Sequence, residues 1–282
     1  MQLWFYEAYG DELLAGFKAR DVLFRGQSDF QRIDVIETYG AGRMLLLDGL
    51  VMVSTSDEFI YHELIAHVPS LHHPKPENVL VVGGGDGGTV RELLKHPDIK
   101  QISLCEIDGL VVEVCEKYFP ELASGLRDPR VRLEIGDGVA FVRESVSASF
   151  DLVIVDSTDP SGPGEALFTG DFYKNVARLL RPGGLMVCQS DSPWQDTAVL
   201  KRIQRNVRAG FPFSHPYIAS IPSYPHGLWS WTLGALHPLD LCAPDVKRLA
   251  ALQQNYPLRY LNEDVLRGLF SLPNCFRQRM SV

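Results

Sequence analysis

The sequence predicts an α/β fold: a mostly parallel sheet with helices on both faces and a closing antiparallel hairpin, preceded by a small N-terminal antiparallel β domain. Three observations predict it. From Asn78 onward, apolar runs of strand length alternate with helical stretches, the pattern of a sheet covered on both faces. Before Pro74-Lys75-Pro76 the chain reads instead as short strands and tight turns. Between these regions, the apolar run ending at Val82 enters a glycine-rich loop.

In the N-terminal part, Val22-Leu23-Phe24, Gln31 to Thr38 and Met44 to Leu47 read as strands, the last followed by an Asp48-Gly49 turn. Thr55-Ser56-Asp57-Glu58 has capping-box spacing, and Ile60, Leu64 and Val68 follow at intervals of four. The spacing predicts a helix from about Asp57 to Pro69. The chain thus divides into a β-strand domain (1–55), a connecting helix and linker (56–76) and an α/β domain (77–282). In the last of these, strands are expected at Asn78 to Val82, Gln101 to Cys105, Val131 to Ile135, Asp151 to Val155 and Leu185 to Cys188. Helices are expected at Val90 to Lys95, Leu110 to Tyr118, Val139 to Glu144 and Asp171 to Leu180, the last closed by Arg181-Pro182-Gly183-Gly184. Tyr217 to Ile221 and Leu228 to Leu236 form the closing hairpin, with two terminal helices after it.

Composition narrows the function. Hydrophobic residues at 45% and charged residues at 22% predict a chain folded throughout. Its 27 Lys and Arg against 35 Asp and Glu give a net charge of −8, a poor match to nucleic acid or an anionic membrane and a better one to a cationic or neutral small substrate. Cys105, Cys115, Cys188, Cys242 and Cys275 form no CxxC pair, which implies neither a zinc cage nor a disulfide framework. The N-terminus, Met-Gln-Leu-Trp-Phe-Tyr-Glu, lacks the marks of a signal peptide, and no run approaches the ~18 apolar residues of a membrane span. The expectation is a cytoplasmic protein.

The chemistry gathers at strand ends. Gly83-Gly-Gly-Asp86-Gly-Gly88 satisfies GxGxxG at Gly83, Gly85 and Gly88, between a strand and a helix, where a Rossmann-like sheet binds nucleosides. A tight strand-to-helix turn would need the same glycines. No Lys-Ser/Thr follows, and Asp86 would repel a pyrophosphate at the helix start, so the loop suits a ligand without phosphates. Glu106, eighteen residues past Gly88, ends the second strand, where a carboxylate can accept from both hydroxyls of a ribose. Asp137 follows the third strand in Gly136-Asp137-Gly138, Asp156 ends the fourth, and Asp159 stands three residues later. Each alone reads as a solvated loop residue or a helix cap rather than a ligand. Together they converge on one crevice, because strand ends on one edge of a parallel sheet do.

Six motifs in order carry a resemblance: Asp57-Glu-Phe-Ile-Tyr-His-Glu63, Gly83-Gly-Gly-Asp-Gly-Gly88, Cys105-Glu-Ile-Asp108, Gly136-Asp-Gly138, Asp156-Ser-Thr-Asp-Pro160 with Gly162-Pro163, and Ile221-Pro-Ser-Tyr-Pro225. The chain resembles the polyamine aminopropyltransferases, the spermidine synthase family. The resemblance implies a Rossmann-like sheet of the AdoMet-methyltransferase type behind a β module, with decarboxylated S-adenosylmethionine as co-substrate and no tightly bound cofactor or metal. The acceptor it implies is a diamine, usually putrescine, and the products are spermidine and methylthioadenosine.

Carried over by motif, Glu106 holds the ribose, Asp137 and Gly138 the adenine, and Gln31 and Pro163 complete the pocket beside Gly83 and Gly85. Asp86 and His62 face the aminopropyl and polyamine region. Asp156 acts as base aided by Tyr61, while Ser157, Thr158, Asp159 and Tyr224 position the acceptor, with Trp4 at the far end and Gln189 and Asp191 ranked below them. His62 reads equally as a half-buried histidine bonded to backbone, Tyr61 and Trp4 as packing residues, Tyr224 as a loop plug and Gln31 as an outward strand position. Met52 stands where relatives usually carry Gln, and Ser54-Thr55-Ser56 replaces the common Thr-Glu-Arg, which leaves the amine open. An AdoMet-dependent amine N-methyltransferase and a non-catalytic nucleoside- or polyamine-binding paralogue remain as alternatives. The family also implies a homodimer or homotetramer.

Overall fold

A computed structural model describes residues 2–9, 13–160, 162–194 and 197–280. Strands β1 (Leu3–Tyr9), β2 (Leu13–Gln27), β3 (Arg32–Thr38), β4 (Arg43–Leu47) and β5 (Leu50–Ser54) form an antiparallel sheet in chain order. Sequence patterning missed β1 and β5 and most of β2. β2 slips register against β3 between Ala19 and Asp21 and between Val22 and Phe24, and such bulges break the period-two alternation that marks a strand. Ile33, Val35, Leu45, Leu47 and Val53 join the main core, whereas Ile36, Met44, Leu46 and Val51 form a separate cluster with Ala19. One face of the module is therefore fastened to the rest of the chain.

Helix α1 (Glu58–His72) runs through Pro69 rather than stopping there. Pro69 leaves the Ile65 carbonyl without its usual donor, while side chains serve the carbonyls on either side: Tyr217 Oη donates to Leu64 and Ser70 Oγ to Ala66. The expected capping box does not form either. Asp57 makes no side-chain cap and instead accepts from the Ser223 amide at 2.7 Å and its hydroxyl at 2.9 Å, so it anchors a distant loop.

The chain continues through β6 (Asn78–Gly83), α2 (Gly88–Leu93), β7 (Gln101–Glu106), α3 (Gly109–Tyr118), α4 (Pro120–Ala123), β8 (Val131–Ile135), α5 (Gly138–Glu144), β9 (Phe150–Asp156), α6 (Gly170–Leu179), β10 (Leu180–Gln189), α7 (Thr197–Gly210), β11 (Phe213–Ala219) and β12 (Trp229–Ala235). The seven strands lie in the order β11-β12-β10-β9-β6-β7-β8, parallel from β10 to β8 and closed by the antiparallel β11–β12 hairpin. Alternation in the central strands explains the two covered faces. Val79, Val81, Leu152 and Ile154 pack with α1 and α3, while Leu80, Val82, Val153 and Val155 pack with α6 and α7.

Three further elements depart from the sequence reading. α7 was not foreseen, although Leu200, Ile203 and Val207 give it a helical apolar stripe. β10 begins at Leu180, with a register shift against β9 before Leu185, so Arg181 to Gly184 lie within the strand region rather than outside it. Three helices end the chain, α8 (Val246–Asn255), α9 (Glu263–Gly268) and α10 (Asn274–Met280), where two were expected. Among the described residues, no helix is long and apolar enough to cross a membrane.

The chain leaves β6 toward β7 on one side and reaches β9 on the other, so the strand order reverses at β6. A crevice opens at such a point beyond the carboxyl ends of the strands. Gly83 pairs with Asp156, and Glu106 ends β7 beside them.

Candidate active site

That crevice holds a cavity of about 370 Å³ between the strand ends and the N-terminal sheet. Glu7, Asp86, Glu106, Asp137, Asp156 and Asp159 line it, and among the described residues no lysine or arginine does. A cation is therefore its natural occupant.

The glycines of the loop make room for neighbouring backbone and side chains rather than for a phosphate. Gly83 sits at φ +80, and a Cβ there would collide with the Asp156 carbonyl. At Gly85 a Cβ would meet the Glu106 carboxylate at 2.9 Å, and at Gly88 it would overlap the His62 ring. The fingerprint thus fixes three site residues.

At the end of the cavity lined by Glu106, Asp137 and Gln31, Glu106 accepts from the Gly85 amide at 3.0 Å and the Asp108 amide at 2.9 Å, one on each oxygen. Burial pushes its carboxyl up to about 7 against the pull of those amides. Gln31, from the loop before β3, donates to Asp108 at 2.9 Å, which turns its amide oxygen to other partners. Asp137 caps α5 through one oxygen, accepting from Val139 at 2.8 Å, and Gly138 lies against Val82. The Pro163 side chain lies outside the described residues; its backbone belongs to the short 3-10 helix Gly162–Phe168 beside the crevice.

The Asp57 to Glu63 motif distributes its polar groups along α1. Tyr61 Oη donates to Asp156 Oδ1 at 2.7 Å, and Thr89 Oγ1 donates to Asp156 Oδ2 at 2.7 Å. Burial and the neighbouring Asp86 raise the Asp156 carboxyl, while His62 and the two hydroxyls oppose the rise. His62 places Nδ1 2.6 Å from Glu58 and Nε2 3.3 Å from Asp86, a charged site and not a backbone bond. Burial disfavours its charge, but Asp86 and Glu58 outweigh burial and push it up to about 10. Glu63 points away and accepts from the amides of Arg259, Tyr260 and Leu261, which ties down the C-terminal segment.

Toward the N-terminal sheet the cavity gathers Asp159, Ser157, Thr158, Tyr224, Met52 and Glu7. Burial first, then Asp191 and Glu7, push Asp159 up to about 7. Tyr224 donates to the Met52 carbonyl at 2.6 Å and packs edge-on against Trp229. Gln189 donates to the carbonyls of Ser157 and Thr158, so it props the loop that carries Asp159. Trp4 is not in the lining; it stacks with Tyr6 on the exposed side of β1. The sequence reading missed Glu7, Thr89, Glu58 and Arg91. Glu7 is buried, accepts from the Val51 amide at 3.2 Å, and is pushed up to about 7 by burial. Only the four-residue spacing of Glu58 and His62 could have signalled one of these contacts in advance.

Two family models match the chain: the spermidine synthase tetramerisation domain over residues 3–55 and the spermine/spermidine synthase domain over residues 58–241. A polyamine aminopropyltransferase of Bacillus subtilis is 41% identical over 96% of each chain, and one of Clostridium perfringens is 44% identical over 99% of this chain and 98% of its own. Two solved structures superpose along 99% of this chain and 94% of theirs at 38% identity. One is a spermidine synthase in complex with the transition-state analogue AdoDATO, at a TM-score of 0.95, and the other is the spermidine synthase of Thermotoga maritima, at 0.93.

Proposed function

The chain belongs to the spermine/spermidine synthase family, and from that premise we propose that its crevice transfers the aminopropyl group of decarboxylated S-adenosylmethionine to a diamine, putrescine first. The amine nitrogen attacks the methylene carbon next to the sulfonium; the C–N bond forms as the C–S bond breaks. The C–S electron pair stays on sulfur, leaving methylthioadenosine; the proton that goes to Asp156 is the one the acceptor ammonium gives up before attack, and the product leaves as a secondary ammonium. Because the sulfonium is already a good leaving group, alignment and deprotonation of the amine are the main tasks.

The observation that carries this reading is the placement of Asp156 in one cavity with Glu106 and Asp159. Glu106 takes the ribose, with Gln31, Asp137, Gly138 and Pro163 around the adenine. Asp86 and His62 stand at the aminopropyl chain. Asp159, Tyr224, Ser157 and Thr158 receive the acceptor, and Glu7 offers its far nitrogen a second carboxyl. An alkyl ammonium of pKa near ~10.4 must be neutral to attack, so desolvation and a raised carboxylate have to act together.

The match to a tetramerisation domain and the exposed Leu3, Trp4, Tyr6, Leu13 and Leu14 of β1 and β2 support a homodimer or homotetramer built on the N-terminal sheet. All five cysteines are free, which supports a reducing, cytoplasmic setting.

Mass spectrometry of products from the purified protein, given decarboxylated or intact S-adenosylmethionine and a panel of amines, tests the reading. Spermidine with methylthioadenosine is the expected result. A methylated amine from the intact donor, or binding without turnover, would overturn it.

A further inference from the structure

An imidazolium inside a crevice built for cations needs a reason. Both ring nitrogens of His62 face carboxylates, Glu58 at 2.6 Å and Asp86 at 3.3 Å, so both must carry protons. From there, side chains alternate in sign along α2 and out to the residue just past its end. Arg91 clamps Glu58 with two bonds, of 3.1 and 2.9 Å, and gives Nε to Glu92 at 2.9 Å; Lys95 closes the row on Glu92 at 2.6 Å. Gly88 is the residue whose missing Cβ lets the ring lie there, and its amide donates to Asp86 at 2.6 Å.

Asp86 and Asp156 are two buried acids close enough to oppose each other's ionisation, and such pairs ionise unequally according to their partners. Their partners differ. Asp86 faces an ion, His62, whereas Asp156 faces two neutral hydroxyls, Tyr61 and Thr89. We infer that Glu58 and Arg91 are positioning residues for aminopropyl transfer: Arg91 orients the Glu58 carboxylate, Glu58 fixes His62 as a cation against Asp86, and Asp86 thereby becomes the standing negative charge of the crevice and leaves Asp156 as the carboxylate that takes the proton. The inference rests on the reading of Asp156 as base. The directions agree: His62 holds Asp86 below the ordinary range despite burial, while burial and Asp86 raise Asp156. The groups that face His62 are Glu58 and Tyr61 from α1, Asp86 from the loop, Arg91 behind Glu58 on α2, and Asp156 from β9.

The test uses the full chain with Glu58→Gln, Arg91→Met and Arg91→Lys, read by imidazole NMR of His62, the pH profile of kcat and calorimetry with methylthioadenosine. In Glu58→Gln, His62 should lose its proton at lower pH than in the wild type. The acid limb of kcat should move up by about one pH unit, because Asp156 loses a cation that favours its ionised form. Turnover at neutral pH should fall about tenfold, at the low end for a disturbed general base, with methylthioadenosine affinity within about twofold, since that ligand lacks the aminopropyl chain. Arg91→Met removes a cation that shares Glu58 with His62, so His62 should hold its proton to higher pH than in the wild type, with Arg91→Lys close to the wild type; Arg91→Met carries the test, with this opposite direction, if Glu58→Gln does not fold. A folded Glu58→Gln or Arg91→Met enzyme with the wild-type His62 titration and acid limb overturns the inference. Asp156→Asn, assayed in parallel, separates the two claims: if it turns over normally, the base assignment has failed. If it is impaired while the Glu58 and Arg91 variants behave as wild type, only the positioning role of Glu58 and Arg91 has failed.

Discussion

The Tyr61 hydroxyl donates to Asp156 Oδ1 at 2.7 Å across ninety-five residues of chain. Burial and the facing carboxylate drive the ionisation of Tyr61 well above the usual phenol range, so it stays a donor and cannot be the base. With Thr89 on the other oxygen, it holds the carboxylate in one orientation toward the cavity.

Tyr61→Phe should therefore move the acid limb of kcat upward, because a donor that favours ionised Asp156 is gone. A shift of about half to one pH unit is expected, with a stability loss of about 0.5–1.5 kcal/mol for the lost bond. Rate profiles and denaturant melts of the variant check both. An unmoved acid limb would separate Tyr61 from the chemistry.

Glu106→Gln should weaken methylthioadenosine and donor binding together by about 1–3 kcal/mol. Each carboxylate oxygen already accepts a backbone amide, from Gly85 or Asp108, so the NH2 of glutamine must face one of those N–H groups and cannot accept from a ribose. Calorimetry with methylthioadenosine measures the loss. Unchanged affinity would remove Glu106 from the nucleoside pocket.

Local pattern made the α/β half of the site legible. Acids at the ends of β7 and β9 and after β8, and a glycine loop after β6, lie within a few residues of strands that periodicity locates. The other half depends on pairings that sequence does not display. Glu7 reaches the cavity because β1 pairs with β2, with Glu7 opposite Ala15, and the folded sheet brings the Val51 amide to its carboxylate. Asp57 looked like part of a cap and proved to be an anchor for Ser223, 166 residues away. The stripe of Leu200, Ile203 and Val207 makes α7 legible at helical spacing without any tertiary information.

Glu7 predicts a stability effect with a definite sign. Its folded value of about 7 lies above the ordinary 4.5 because of burial, so the folded protein keeps a proton that the unfolded chain releases between those values. The contribution is full below about 4.5 and is lost as pH rises through about 7. Thermal melts of the unliganded wild type minus those of Glu7→Gln should show that decline, on the order of 3 kcal/mol at most. A difference curve that is flat over this range would mean that Glu7 is solvated in the apo protein.

Asp156→Asn should preserve folding and donor affinity while turnover falls roughly 10²–10⁴-fold, the range for removal of a general base. Folding should survive because asparagine keeps the shape: its oxygen can accept from Tyr61 or Thr89, and the other hydroxyl can rotate to accept from the new NH2. The asparagine cannot take a proton from the attacking amine or offset the charge that forms on its nitrogen. Raising the pH should then partly rescue the variant, since solvent supplies the free amine that the site no longer generates. The wild type should respond less steeply over the same alkaline range. Parallel pH profiles measured with saturating donor, so that only the acceptor's protonation and the chemical step vary, provide the comparison. If the variant turned over at the wild-type rate with an identical profile, Asp156 would be an orienting residue only. The proton would then have to leave through Asp159, whose raised carboxyl stands in the same cavity.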